Sequence, residues 1–432
     1  LKKIISLIKY TKSPESLKSA VELCNGFTGL HRDDKVLVKP NLAIWDNQFK
    51  IAPFGVFTTT RLVEDMVILL RDYGCKNISI GEGSIETEKG IGTMEAFAAL
   101  GYNEISKRYG VSLIDFNKSN SAPIKVEDGL VFSIAKEAVE SEFLINFPVL
   151  KTHSQSIVSL GLKNLKGCLK TSSKKLCHHP KLGLEYCFQF VADYVKPCLT
   201  IIDGIYTLEK GPVHFGNAYR KDIIVASKDI LAADMVAAKI IGYDPQDIVH
   251  FIEFAKRHNQ SLSWSDYDIM GEKIEDHISP LKWDWSWNKD NTGPAIFDKL
   301  GLKGVAIPKY DDSLCSGCVP LSNIINILVL SAFKGEPFPN IEIIFGKRTE
   351  ARPGYDKTML LGDCITKVNE NNSNIKEAII TKGCPPKYED VVASLKGVGL
   401  EIQEGSYFEY LDQQGKKYDG KEGYSWDFFR AG

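Results

Sequence analysis

Four cysteines in the last third of the chain have the surroundings of metal ligands. Cys315 and Cys318 form a C-S-G-C motif, Cys364 ends a G-D-C motif, and Cys384 lies in G-C-P-P. The last two follow short apolar runs that predict strands, and the first two precede an apolar helix that we expect to start near Pro320. Because strand carboxyl ends meet at one edge of an α/β sheet, the four thiols are expected to converge there.

A set of four thiols at such an edge is suited to a [4Fe-4S] cluster, and a cysteine followed by proline is a recurrent cluster-ligand context. The positive end of the following helix would favour thiolates. Zinc is one alternative, although structural zinc sites usually use two close pairs, whereas Cys364 and Cys384 are far apart in sequence. A dithiol redox pair in C-S-G-C would leave the other two cysteines unexplained. Four unrelated thiols are the remaining alternative.

A second group of polar residues follows the strand-like run FLINFPVL at 143–150. His153 and Lys163 are its candidates for catalysis, since both residue types can exchange protons. The candidates for binding a substrate or cofactor lie at the same predicted edge of the sheet and are Lys39, Asn41, Lys151, Asn164, Lys166 and Asp203. Cations and amides suit a small anionic substrate or a phosphate-bearing cofactor. The alternative is a solvated, basic start of a helix.

Strands and helices alternate along the part of the chain that carries these residues. This order predicts an α/β fold with a mainly parallel sheet and helices on both faces. The predicted strands lie at 35–39, 77–80, 111–116, 142–147, 199–202 and 223–226, and the longest predicted helices lie at 59–73 and 230–241. We expect an α/β ligand-binding domain over residues 1–265.

A break in this pattern over 266–304 predicts a linker. Its three tryptophans, Trp283, Trp285 and Trp287, indicate a packed interdomain or subunit contact, which leaves a homo-oligomer open. Residues 305–432 are expected to form a smaller α/β iron–sulfur domain. Its predicted strands lie at 341–345, 359–361, 377–380 and 400–402, its helices at 320–333 and 388–395, and about the last thirty residues are predicted to be an irregular tail.

The composition is that of a folded protein with more than one domain: 432 residues, of which 44% are hydrophobic and 25% charged. A net charge of −2 gives no footprint for nucleic acid or an anionic membrane. No apolar run is long enough to cross a bilayer. We therefore expect a cytoplasmic protein with neither partner, although a first residue other than Met leaves a removed export signal open. Exposure of a cluster and many thiols to oxidation favours an anaerobic setting.

Several runs resemble the uncharacterised family called domain of unknown function 362. They are VLVKPN, FPVLKTH, SLGLKNLKG, DGI and AADMVAAKIIGYDP, and the resemblance spans about residues 33–245. Some members of that family carry an iron–sulfur domain, often ferredoxin-like with clustered cysteines. Here the cysteines are spread over an α/β unit, and G-C-P-P is closer in style to the cluster sites of anaerobic redox enzymes. The resemblance therefore implies a cluster without implying a ferredoxin-type relay.

A weaker similarity connects the chain to the lactate racemase superfamily. In that superfamily a His precedes by ten residues a Lys in a Gly-rich segment, and this Lys tethers a nickel-pincer nucleotide. His153 and Lys163 have this spacing, with Gly161 close by. The second half of the superfamily motif, with its further histidines, has no counterpart in this sequence, so the expected cofactor stays the [4Fe-4S] cluster.

The leading functional hypothesis is an iron–sulfur oxidoreductase that passes electrons to or from a small anionic substrate or cofactor, with an electron-transfer protein as its partner. A second hypothesis is a non-redox enzyme, resembling a racemase or lyase, in which the cluster is structural. A third is a carrier of a cofactor or metal. The sequence alone does not separate the three.

Overall fold

The protein divides into two compact units. The computed structural model describes residues 2–87, 90–211 and 213–431 of the chain. The first unit comprises Leu1–Lys174, Glu185–Asp284 and Gln414–Gly432, and the second comprises Lys175–Leu184 and Trp285–Gln413. Each unit has its own parallel strands covered by helices, so the predicted α/β class is confirmed.

The first unit contains twelve strands among its described residues. They are β1 (Lys3–Lys9), β2 (Lys35–Lys39), β3 (Asn77–Glu82), β4 (Ser112–Asp115), β5 (Ser121–Lys125), β6 (Val131–Ala135), β7 (Phe143–Asn146), β8 (Val149–His153), β9 (Ile157–Ser159), β10 (Leu199–Glu209), β11 (Asn217–Ser227) and β12 (Tyr267–Gly271). Eight of them run side by side in the order β12-β1-β11-β10-β7-β2-β3-β4. The neighbours from β10 to β4 are parallel, whereas β11 is antiparallel to both β1 and β10.

The remaining strands sit beside this order. β8 pairs with β10 in parallel and with β9 antiparallel, while β5 and β6 form a separate two-stranded sheet. The run FLINFPVL, predicted as one strand, is divided into β7 and β8 around Phe147 and Pro148. Proline has no N–H to donate to a ladder, which explains the break.

Helices of the first unit cover the sheet. They are α1 (Pro14–Leu23), α2 (Thr60–Tyr73), α3 (Thr93–Leu100), α4 (Tyr102–Tyr109), α5 (Lys136–Glu140), α6 (Gly161–Asn164), α7 (Thr171–Leu176), α8 (Leu184–Tyr194), α9 (Ile230–Ile240) and α10 (Val249–Arg257). Gly74 ends α2 as predicted, with a φ of 105° that suits glycine. The Asp229 carboxylate caps α9 by accepting from the Ala232 N–H at 2.8 Å. Small alanines allow α9 to lie buried along almost its whole length.

A smaller sheet of four parallel strands forms the second unit, in the order β13-β14-β15-β16. Its strands are β13 (Val305–Ala306), β14 (Ile341–Ile344), β15 (Lys357–Leu361) and β16 (Ala378–Thr381), and its helices are α11 (Ala295–Leu300), α12 (Val319–Ala332), α13 (Asp363–Val368), α14 (Tyr388–Gly397) and α15 (Ser406–Gly415). The strand predicted at 400–402 is wrong. Leu400 and Ile402 are buried in a loop, and a short apolar run looks the same in a loop as in a strand.

The predicted irregular tail is also wrong, because it contains α15 and a last short helix, α16 (Trp426–Phe429). Residues from Gln414 onward belong to the first unit, where Phe429 is fully buried. The Arg61 guanidinium fixes this segment by donating to the backbone oxygens of Asp427 and Phe428 at 2.9 and 2.8 Å. Ring contacts with Phe54 then join the segment to the core.

The observed units also divide the chain elsewhere than the predicted domains do. Residues 266–284 belong to the first unit, since β12 forms the edge of its sheet by pairing in parallel with β1. Residues 175–184, far upstream of the predicted boundary, belong to the second unit. Among the described residues, no helix is both long enough and apolar enough to span a bilayer.

Candidate functional site

Two clusters of chemically capable side chains emerge, one in each unit. The first, which we call the lysine site, gathers Lys39, Asn41, Glu82, Asn146, Lys151, Lys163, Asn164, Lys166 and Lys174. The second, which we call the cysteine site, consists of Cys315, Cys318, Cys364 and Cys384.

The lysine site forms where parallel strands end. Lys39 and Asn146 are the last residues of β2 and β7 and stand opposite each other in register, and Glu82 is the last residue of β3. Lys39 is fully buried, and its Nζ donates to Glu82 Oε2 at 2.9 Å and to the Pro40 oxygen at 3.1 Å. A buried charge needs such a partner. Its charge is therefore already balanced within the protein.

Gly167 packs directly against this ion pair. A Cβ at this position would lie 2.1 Å from Glu82 Oε1 and 2.6 Å from Lys39 Nζ. Glu82 was not among the predicted site residues. Its position just after the strand predicted at 77–80 was the available signal.

Three asparagines form a continuous chain of hydrogen bonds through the site. Asn41 Nδ2 donates to Asn164 Oδ1 at 3.1 Å, and Asn164 Nδ2 donates to Asn146 Oδ1 at 2.8 Å. Asn146 Nδ2 continues the chain to the Gly161 oxygen at 3.1 Å. Lys151 Nζ joins it by donating to Asn41 Oδ1 at 2.6 Å and to the Val56 oxygen at 2.8 Å. These bonds fix the polar groups of the site in one arrangement.

The hydrogen bonds of the Lys151 amine within the described residues go to an amide oxygen and a backbone oxygen and not to a carboxylate, and this changes its acidity. Burial lowers its pKa to about 7; Lys39 adds to the effect and Glu82 opposes it. Lys174 donates to the Gly83 oxygen at 2.6 Å and to Asn117 Oδ1 at 2.9 Å, and burial lowers its pKa to about 8. The site therefore contains two amines that titrate close to neutral pH.

Lys163 is the most accessible of the lysines whose pKa burial lowers in this site. Its side chain is half-buried, and its Nζ donates to Ser159 Oγ at 3.4 Å. Burial together with the charges of Lys166 and Lys151 brings its pKa well below the ordinary value, while the Glu185 charge acts in the opposite direction.

Two buried aspartates near the site accept hydrogen bonds from backbone N–H groups. Asp234 accepts from the N–H groups of Gly161 and Leu162 at 2.6 and 2.8 Å, so it fixes the start of α6, and burial raises its pKa to about 7. Asp203 lies within β10 and not in a loop after it. It accepts from the N–H groups of Thr59 and Ile205 at 2.6 and 3.0 Å, and burial raises its pKa to about 6. Both carboxylates act on the backbone of the site.

His153, predicted as an acid or base, is half-buried at the end of β8, and its Nδ1 accepts from the Gln155 N–H at 3.1 Å. A second imidazole, that of His250, has a charge interaction with Lys163. His250 Nδ1 is 2.7 Å from Glu185 Oε1, and burial, followed by the Lys163 charge, lowers the His250 pKa although Glu185 opposes this. Neither His250 nor Glu185 had a local sequence signal.

The cysteine site follows the second sheet. Cys364 lies in the first turn of α13 just after β15, Cys384 lies beyond β16, and Cys318 is the residue before α12. This is the predicted placement. Cys315 is buried and Cys318 partly so, whereas Cys364 and Cys384 are exposed. The four cysteines of this site are free thiols.

The four thiols influence one another's pKa values through charge. A hydrogen bond from the Cys318 thiol lowers the pKa of Cys315, and the same bond, then burial and the charges of Cys315, Cys384 and Cys364, raises that of Cys318. Lys347 contributes a positive charge that lowers the pKa of Cys315 and opposes the rise of the Cys364 pKa. Its Nζ is anchored to the backbone oxygens of Lys175 and His178 at 3.2 and 3.1 Å.

The donor chemistry of this site is sulfur only, which fits an iron–sulfur cluster or zinc. In the described part of the chain, no group of three or more His, Cys, Asp or Glu side chains is gathered tightly enough to hold a metal ion as it stands. A cluster on all four thiols would therefore need a closer arrangement of the thiols than this one.

Comparison with known proteins bears on the first unit. Residues 36–239 match the model of a domain of unknown function, DUF362, so the predicted resemblance to this family is confirmed. The match contains the whole lysine site and excludes the cysteine site. A thylakoid-associated protein of Synechocystis sp. is 27% identical over 242 residues, which are 54% of this chain and 71% of that protein.

A solved structure, the lactate racemase apoprotein from Thermoanaerobacterium thermosaccharolyticum, is also similar. The sequence identity is 13% and the TM-score 0.36, and the match covers 56% of this chain and 57% of the racemase. Less than two thirds of the racemase's own length is therefore spanned.

Proposed function

Starting from the match of residues 36–239 to that family of unknown function, we propose that the protein is an iron–sulfur redox enzyme. Its second unit holds a [4Fe-4S] cluster on Cys315, Cys318, Cys364 and Cys384. Its first unit binds a small anionic substrate or a phosphate-bearing cofactor at the lysine site. The observation that carries the proposal is the electrostatic interaction among four free thiols placed at the ends of β15 and β16 and before α12.

A cluster held there would supply one-electron transfer, over a range of potentials of roughly −700 to +450 mV in proteins generally. The residues of the chain have separate tasks. The anchored Lys347 ammonium provides a fixed positive charge beside the thiolates. In the first unit, Lys151, Lys163 and Lys166 attract and orient the anion, and the asparagine chain holds Lys151 in position. An electron-transfer protein would be the partner.

Anaerobic purification followed by assay of iron, sulfide, zinc and nickel tests the proposal. About four irons and four sulfides per chain, with an EPR signal that appears on reduction by dithionite, is the expected result. One zinc and no iron would overturn it and leave the lysine site as the candidate reactive centre.

The second candidate function is a non-redox enzyme in which the cluster is structural. The observation that favours it is the pKa of Lys151, about 7, beside the lowered pKa of Lys163, because amines with such values exchange protons at neutral pH. Turnover that is indifferent to added reductant or oxidant, in protein fully loaded with iron, would select this candidate over the redox enzyme.

A further inference from the structure

Lys163 differs from the other lysines of its site in how its amine is held. The side chains of Lys39, Lys151 and Lys174 are buried, and each makes hydrogen bonds of 2.6–3.1 Å to the protein. Lys163 is partly buried as a residue, and its hydrogen bond to Ser159 Oγ is long at 3.4 Å. Within the described residues, no carboxylate lies at ion-pair distance from it. Its amine is therefore the one whose hydrogen bond a ligand could replace at the smallest cost.

The backbone beneath this amine is fixed. Asp234 is fully buried and accepts from the N–H groups of Gly161 and Leu162, directly before Lys163. A Cβ on Gly161 would lie 2.6 Å from Asp234 Oδ1, so the close approach depends on glycine. A short helix anchored in this way holds the Lys163 Cα in one place, which is what a covalent step requires of its nucleophile.

Charges of both signs act on the Lys163 amine. Lys166 and Lys151 supply positive charge, and together with burial they favour the unprotonated form of Lys163, as its lowered pKa records. Glu185 supplies negative charge and is bonded to His250, which is 1% exposed. His250 Nε2 has no hydrogen-bond partner among the described residues. Cations to hold an anionic group thus accompany a carboxylate–imidazole pair that can accept a proton.

We infer that Lys163 is a nucleophile that forms an imine with a substrate carrying a carbonyl group beside an anionic group, as in a 2-oxo acid. The inference rests on the proposed anionic-ligand site and names the class of its ligand. The neutral amine adds to the carbonyl carbon, the carbon–nitrogen bond forms, and the proton released by nitrogen passes to the former carbonyl oxygen. A second proton then leaves nitrogen and reaches this oxygen as the carbon–oxygen bond breaks, which releases one water and leaves the carbon–nitrogen double bond. No oxidant or reductant is consumed.

The test uses the purified full chain, pyruvate as the carbonyl probe, and cyanoborohydride to reduce any imine to a stable carboxyethyl-lysine. Mass spectrometry of the digested protein gives the extent of modification at every lysine. Lys18, exposed on α1, serves as the internal reference. Lactate, which keeps the carboxylate but lacks the carbonyl, serves as competitor, and its binding is measured separately by calorimetry.

We expect Lys163 to be modified roughly tenfold faster than Lys18 at neutral pH, and lactate to suppress this modification. Lys163→Arg removes the nucleophilic amine and leaves Lys151 and Lys166 to hold the carboxylate, so it should bind lactate within a few-fold of the wild type while its peptide gains no adduct. The comparison of lysines within the wild-type digest holds even if this variant fails to fold. Measurable lactate binding with Lys163 modified no faster than Lys18 would overturn the imine and spare the anionic site. Absence of binding by both acids would overturn the site and the imine together.

Discussion

The lysine site and the cysteine site solve opposite problems. Lys39 and Lys151 are buried and hydrogen-bonded before any ligand arrives, so folding of the first unit bears the cost of desolvating them. Cys364 and Cys384 stand exposed at the edge of the second sheet, where a neutral thiol costs little. A site that binds by charge has to be organised in advance, whereas a site that binds by coordination can obtain its order from the metal.

The contrast between the two sites is tested most directly by removing one thiol of the cysteine site. Cys364→Ser should lose most of the bound iron while the first unit stays folded, because serine is a poor ligand for iron and position 364 is exposed. Iron per chain after anaerobic purification measures this. Cys198→Ser, outside the cysteine site and only partly buried, is the matched control and should retain its iron. Equal iron in both variants would exclude Cys364 as a ligand.

The cost of organising the lysine site is measurable through pH. Lys151 has a pKa of about 7 in the folded protein against an ordinary value of 10.5, so between these values the unfolded chain binds a proton that the folded one does not. Stability contributed by this group therefore rises with pH over that window. The difference in unfolding free energy between wild type and Lys151→Met should grow by roughly 4 kcal/mol from pH 7 to pH 10.

Urea unfolding of both proteins at several pH values measures this growth. The hydrogen bonds that Lys151→Met removes contribute a constant offset, so only the slope matters. Lys18→Met, on the exposed face of α1, should follow the wild-type curve at every pH. Parallel curves for wild type and Lys151→Met would contradict the assigned pKa.

A smaller effect is expected from crowding the ion pair. Gly167→Ala places a methyl group 2.1 Å from Glu82 Oε1 and 2.6 Å from Lys39 Nζ, so both side chains must shift. Overpacking of this kind should lower the unfolding free energy by about 1–3 kcal/mol. Gly397→Ala in the second unit, where a Cβ would meet no atom within 4 Å, should be nearly neutral. A neutral Gly167→Ala would mean that the pair has room to move.

The smallest effect concerns charge beside the thiols. In the iron-loaded protein, Lys347→Met should lower the reduction potential, since removing a fixed positive charge disfavours adding an electron. Redox titration followed by EPR measures the shift. Lys376→Met, before the amino end of β16 and thus away from Cys384, should leave the potential unchanged. A rise in potential on loss of Lys347 would contradict the assignment.

Local sequence patterns predicted most helices and strands of each unit well, and the contacts among these elements poorly. The strands β2, β3 and β7 and the helix α2 are where the periodicity placed them, and this brought Lys39, Asn41 and Asn164 to one edge. By contrast, the strand predicted at 400–402 and the irregular tail predicted after it were wrong. A short apolar run does not distinguish a strand from a buried loop.

Other site residues depend on contacts that no local pattern encodes. Lys174, Glu185 and His250 meet their partners across 57 or more positions of sequence. Asp234 was not among the predicted site residues, yet it fixes the start of α6 by accepting from the N–H groups of Gly161 and Leu162. A lone carboxylate within an otherwise apolar helix was the signal that could have revealed this role.

The return of residues 414–431 to the first unit has a consequence for biosynthesis. Phe54 and Tyr206 contact Tyr424, and Phe54 also contacts Phe429, yet these partners are translated only after the entire second unit. Since domains usually fold as they emerge from the ribosome, the first unit must wait with an aromatic surface uncovered until its last segment is made. During that interval the nascent chain offers a binding surface to chaperones, and the second unit has the opportunity to fold first.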